Sequence, residues 1–131
     1  MRKEILFGLG AASLILGAAA ASRYGQSAGL IDGDTGKRVV QVVIGLYLAW
    51  CGNRMPKSLG KWSSLGKARW SQSALRVGGW SLTLAGLAHA LLWATQPMPV
   101  ARPAAMIVVA TATLVTMGYA VWALAVCRRA S

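Results

Sequence analysis

Acidic residues are almost missing from this chain of 131 residues, which holds only Glu4, Asp32 and Asp34 against 14 Lys and Arg. None of the three lies inside a long apolar run. That disfavours proton- or cation-coupled transport, in which an intramembrane carboxylate is the usual carrier. The same shortage leaves no acid to orient a catalytic base. The one histidine, His89, has no acidic neighbour in the sequence, so an enzyme acting alone is not expected. Cysteine is confined to Cys51 and Cys127, close to Arg54 and Arg128. Placed on the cytoplasmic side of a membrane, these thiols would stay reduced and form no structural disulfide. No internal repeat and no low-complexity tail interrupts the chain.

What fills the sequence instead is apolar. It is 56% hydrophobic and 13% charged, with a mean hydropathy of +0.51, whereas soluble domains carry roughly a quarter charged residues. A net charge of +11 raises the possibility of a nucleic-acid partner, which needs the basic residues gathered on one face of a folded domain. Here they sit between apolar runs, so no nucleic acid is expected. Four segments reach or approach the roughly 20 helical residues that cross a hydrocarbon core of about 30 Å: 5–22, 38–53, 75–95 and 104–127. The second is the shortest and depends on Lys37, Arg38 and Arg54 reaching out along the interface. The expected fold is an all-α integral membrane four-helix bundle in a single domain spanning 1–131.

Charge sets the orientation. Ten of the 14 Lys and Arg fall at the two termini and in the segment 54–76, and the other four, Arg23, Lys37, Arg38 and Arg102, fall in the remaining loops. Cytoplasmic loops retain positive charge, so both termini and the loop 54–74 are expected on the cytoplasmic side of the inner membrane. Trp50, Trp80 and Trp122 at the inner helix ends, with Tyr24 and Trp93 at the outer ends, fit the aromatic belts of that topology. The opening "MRKEILFGLGAASLILGAAAAS" also has the outline of a secretory leader. Its apolar run exceeds the usual leader centre, so it is read as the first helix.

The loops carry their own punctuation. "QSAGLIDGDTGK" suits an exposed turn and offers Asp34 or Thr35 as the N-cap of the second helix. Pro103 is placed in the first turn of the fourth, where a missing N–H costs nothing. In "WCGNRMPKSLGKW" the apolar run stops at Asn53, read as a C-terminal cap, and Pro56 prevents continuation. Beyond it, Leu59, Trp62, Leu65 and Trp70 are expected to line one side of a short interfacial helix, with basic residues toward anionic headgroups. The candidate partner- and lipid-binding residues are therefore Asn53, Arg54, Lys57, Lys61, Arg69 and Arg76.

Besides Ser and Thr, the apolar runs enclose Gln41 and His89. His89, flanked at helical spacing by Ala85, Gly86 and Trp93, is expected to stay neutral and hydrogen-bond a Ser, Thr or backbone group of another helix, and Gln41 lies on a line with Gly45, Leu48 and Gly52. A haem would need a second histidine. A copper site drawing on Cys51 or on Met98, Met106 and Met117 lacks any motif that would assemble it. No cofactor or metal is expected. Small residues recur at four-residue spacing: Ser13, Gly17 and Ala21; Gly86, Ala90 and Ala94; Ala112, Thr116 and Ala120. Such stripes allow close helix contact, within the chain or with another copy or another membrane protein.

The pair "GLYLAWCGNRMPKSLGKW" and "ARWSQSALRVGGWSLTLAGL" resembles the SdpI-type integral membrane proteins, in which a helix ends in a Gly-Asn step followed by Pro and basic residues, and a Trp and an Arg then introduce a Gly-rich helix. The resemblance covers 45–87 and gives weight to Gly52, Asn53, Pro56, Trp70, Arg76 and Gly79. The family's "IRTPWT"-like loop stretch has no counterpart, and the Trp-to-Arg spacing is one residue longer. The resemblance implies a multi-helix protein of the cytoplasmic membrane, whose best-known relative protects its cell from a membrane-active toxin and can hold a transcriptional repressor at the membrane. The function expected from the residues themselves is that of a non-enzymatic accessory subunit, docking through helix faces and a basic loop. Its rivals are the immunity or signalling role and an electron-transfer subunit using His89.

Overall fold

Backbone punctuation, rather than apolarity, decides where the helices begin and end. The computed structural model describes residues 2–55 and 68–129. Among them the chain forms four helices and no strand: α1 (Arg2–Ser27), α2 (Gly33–Arg54), α3 (Ala68–Thr95) and α4 (Met98–Arg129). Each outruns the apolar segment that announces it, because polar residues such as Ser, Arg and Gln are acceptable in a helix interior. The expected 54–74 loop is shortened accordingly, since residues 68–74 already belong to α3. Lys57, Lys61 and the interfacial segment through Leu65 lie outside the described residues.

α1 ends in a Schellman motif. Gly29 takes the left-handed conformation with φ +70, the Leu30 N–H bonds the Gly25 carbonyl at 2.9 Å and the Gly29 N–H bonds Gln26 at 3.1 Å. Ile31 then packs on Gly25. α2 starts earlier than expected and is capped by Asp32, not Asp34 or Thr35: its carboxylate accepts the Thr35 N–H at 3.3 Å. The other end of α2 is also corrected. Asn53 is helical, and the cap is Met55 in the right-handed conformation, its N–H shared between the Cys51 and Gly52 carbonyls. No non-glycine residue among those described has a positive φ, so Asn53 does not act as a left-handed stop.

The α3–α4 connection shows how one proline is accommodated. The Trp93 carbonyl would ordinarily accept from residue 97, but that is Pro97, which has no N–H. Arg38, from the start of α2, donates Nη1 to this carbonyl at 3.1 Å. α4 begins with the Val100 and Ala101 N–H groups on the Pro97 carbonyl, at 3.0 and 2.9 Å. Pro99 therefore holds the first-turn position, and Pro103, contrary to expectation, lies inside the helix.

α2 and α3 form the tightest pair. A Cβ on Gly45 would come 2.7 Å from the Gly86 carbonyl, and one on Gly52 would come 2.6 Å from the Gly79 carbonyl. Seven residues forward on α2 thus match seven residues back on α3, an antiparallel register kept by glycines that let the backbones touch. Ala49 lies between the two contacts, against Gly86, and Ala90 lies one turn beyond Gly86, against Gly45, and the Thr83 hydroxyl lies 3.3 Å from the Ala49 carbonyl and 2.7 Å from that of Gly79. α4 packs on α3, where Thr116 meets Gly78, and α1 packs on α2, where Gln26 covers Gly36. Packing therefore follows chain order. A closed ring would also seat α1 on α4, and that pair is not among the substantial contacts of the described residues.

Size is sorted outward. Among the described residues the buried apolar ones are Ala49, Ala85, Ala90, Ala101, Ala105, Ala123 and Trp93, whereas Leu6, Leu9, Leu16, Met106, Ile107, Leu114 and Val121 are exposed. Two helical stretches, Ser73–Thr95 and Met98–Ala123, are long and apolar enough to cross a membrane among the described residues. In the second, only 6% of the most apolar window is buried, whereas a core helix of a soluble protein would be mostly covered.

Candidate functional site

The glycine register brings together two residues that are 48 positions apart. Four residues before Gly45 stands Gln41, and three after Gly86 stands His89. Their side chains meet with Nε2 of His89 3.1 Å from Oε1 of Gln41. Both were singled out in the sequence as polar residues in apolar runs. Their pairing was not foreseen, although the matching seven-residue spacings Gly45–Gly52 and Gly79–Gly86 contain it. An amide oxygen can only accept, so His89 donates from Nε2, and in the neutral ring Nδ1 is left as an acceptor.

One turn along α3 is Trp93, its ring centroid 6.3 Å from that of His89. It packs on Ala101 and Ala105 of α4, with Val42, Leu92 and Met98 around them. The three helices do not close completely here. A cleft of about 410 Å³ remains, lined by Gln41, His89, Trp93, Arg102, Ala105, Met106, Val109 and Ala110. His89 and Trp93 are only 8% and 7% exposed, and His89 Nδ1 and Trp93 Nε1 have no hydrogen-bond partner. Buried polar atoms are nearly always paired; both of these nitrogens are sealed from solvent, although their residues line the cleft. The Arg102 side chain is exposed on the cleft's rim. Its part, like that of Trp93 as a polar group, was missed in the sequence, where Arg102 stood only as an outer-loop charge.

The residues expected to bind lipid or a partner fall at the opposite end of α2, about 18 Å along the axis from Gln41 to Asn53 at 1.5 Å per residue. Asn53, Arg54 and Arg76 are exposed there, and Arg69 is in the first turn of α3. The Arg54 guanidinium lies 5.2 Å from the centroid of the Trp50 ring, a cation–π arrangement. No described group of three His, Cys, Asp or Glu side chains is arranged to hold a metal ion. Cys51 is a free thiol in the last turn of α2, and of the possible copper ligands only Met106 shares the cleft with His89. Compared with known proteins, the chain matches no protein family, no curated protein and no solved structure.

Proposed function

We propose that this chain is a multi-pass protein of the cytoplasmic membrane, a non-enzymatic accessory subunit that docks onto another membrane protein or a further copy of itself through α1. The observation that carries the reading is the surface of α1. It packs within the chain on α2, and Ile5, Leu6, Leu9, Leu14 and Leu16 are between 57% and 69% exposed. Its stripe of small residues is open as well, for a Cβ on Gly10 or Gly17 would meet nothing within 4 Å. The corresponding stripes on α3 and α4 are already engaged, at Gly86 and Ala90 and at Thr116. A small-residue stripe edged by leucines is the surface that helices use to associate in lipid, where packing replaces the hydrophobic effect as the driving force. The outward sorting of large apolar side chains supports the membrane setting. Both termini, the exposed Asn53, Arg54 and Arg76, and Lys57 and Lys61 would then face the cytoplasm, next to anionic headgroups.

The test is to solubilise native membranes gently and weigh the intact particle and its subunits by mass spectrometry. Other proteins at fixed stoichiometry, or a defined homo-oligomer, support docking. A monomer carrying only lipid refutes it. Gly17→Leu should then abolish association while leaving thermal stability within about 0.5 kcal/mol, as expected for a change into open space.

A second reading is favoured by one further observation. Gly52 and Gly79, two residues weighted by the resemblance to SdpI-type proteins, meet at one of the close approaches of the α2–α3 contact. An immunity or signalling role would make deletion of the chain sensitise cells to a membrane-active toxin, with larger complexes unaffected.

A further inference from the structure

Arginines mark two levels along the α2–α3 pair. Gly52 faces Gly79, so Arg54, just beyond Gly52 on α2, and Arg76, just before Gly79 on α3, stand at one level. The exposed Trp50 and Trp80 stand together one turn inward. At the other level the Arg38 guanidinium meets the Trp93 carbonyl, and Arg102 of α4 lines the same cleft as Trp93. No Lys, Arg, Asp or Glu lies between these levels on α2 or α3. Arg38 and Arg54 are 16 residues apart, about 24 Å of helix. A hydrocarbon core of about 30 Å is several ångström thicker.

A short span is accommodated by side chains that reach outward, by association or by a thinner bilayer. Helical side chains lean toward the N-terminus of their helix. Arg76 and Arg102 stand near the N-terminal ends of α3 and α4, so they lean away from the uncharged slab and can follow a thick bilayer. Arg54 stands at the C-terminal end of α2 and leans back into the slab, its guanidinium 5.2 Å from the centroid of the Trp50 ring. Arg38 is committed to the carbonyl that Pro97 leaves without a donor. The outward reach that the sequence suggests for these two arginines is therefore taken up within the protein. α2 cannot slide to compensate, because Gly45 and Gly52 lock it to α3. Val39, Leu46 and Trp50 form an exposed stripe on α2 that leads to Arg54. Building on the membrane reading proposed above, we infer that the bilayer thins against this stripe and that the chain selects phospholipids with short acyl chains as its neighbours.

The full chain is reconstituted in vesicles that mix dimyristoleoyl and dierucoyl phosphatidylcholine, with bromine added across the double bonds of one lipid and then of the other. Tryptophan quenching then reports which lipid touches the protein. The brominated short-chain lipid should quench as though enriched about threefold over its mole fraction, the scale of a modest mismatch cost. Arg54→Leu, at an exposed side chain, should remove most of that enrichment with helicity unchanged by circular dichroism. Arg76→Leu, at the same level on α3, should keep it. Quenching in proportion to mole fraction, or a preference for the long chains, overturns the inference. Equal losses in the two variants overturn its assignment to α2. A chain that does not sediment with vesicles of either lipid fails the membrane reading itself, so the two failures are told apart.

Discussion

Arg38 illustrates how a side chain can complete another helix's backbone. Replacing it by Met leaves the Trp93 carbonyl facing Pro97 with no donor, and the expected loss is about 1–3 kcal/mol, the scale of an unsatisfied buried acceptor. The shift in the unfolding midpoint in mixed micelles measures it, and Arg38→Lys should recover part of the loss. Asp32 acts by charge. Hydrogen bonding to Thr35 holds its carboxyl below the ordinary value of 3.8. Because the folded state favours the ionised form, the stabilisation is complete above the unfolded pKa and is lost as pH falls through the lowered folded one. The amide-exchange protection factors of Thr35 and Gly36, corrected for the intrinsic rate at each pH, should therefore fall on acidification toward about pH 3, and Asp32→Asn, which still caps, should flatten that dependence. Neither role was legible beforehand: Arg38 reads as an interfacial anchor until Pro97 is seen to withhold a donor, and three candidate caps crowd the sequence from Asp32 to Thr35.

Among the elements, the α2–α3 hairpin is the part whose making can be read most directly from residue spacing. Gly45, Gly52, Gly79 and Gly86 were visible in the sequence, as was the polar pair they align. What no spacing on one helix reveals is which glycine faces which, because register is a relation between two helices. A Cβ on Gly86 runs into the Ala49 backbone, which has no flexible end to move aside. Gly86→Val should cost about 1–3 kcal/mol or more in unfolding measurements, as overpacking of a tight contact does. It should also part His89 from Gln41. Helix lengths were underestimated for a related reason. The apolar segment reports what is apolar enough to cross lipid, while the helix runs on until the backbone turns, so α1 continues through Arg23, Gly25 and Gln26 to the left-handed Gly29.

For the molecule as a whole, four helices and their order followed from hydropathy alone, but their arrangement did not. Exposure of large side chains on α1 and α4 is invisible to a scale that scores apolar residues alike wherever they point. The proposed topology makes a prediction at this scale. With Cys127 replaced by Ser, Cys51 at the basic end of α2 should react with a membrane-impermeant maleimide in inverted vesicles and not in intact cells, and a cysteine placed at exposed Leu30 with both native cysteines replaced should do the reverse. The opposite labelling pattern would refute cytoplasmic termini.

Packing that joins each helix chiefly to its neighbours in the chain also bears on how the protein is made. Every substantial contact is closed by a short connection or by the single segment between α2 and α3, so contact order is low and the entropy of bringing partners together is small. A helix leaving the ribosome finds its partner already in place: α2 meets α1, α3 meets α2, and α4 closes the cleft last. Folding can thus proceed in the direction of synthesis, and a chain interrupted after α3 would already hold the Gln41–His89 pair while lacking Arg102.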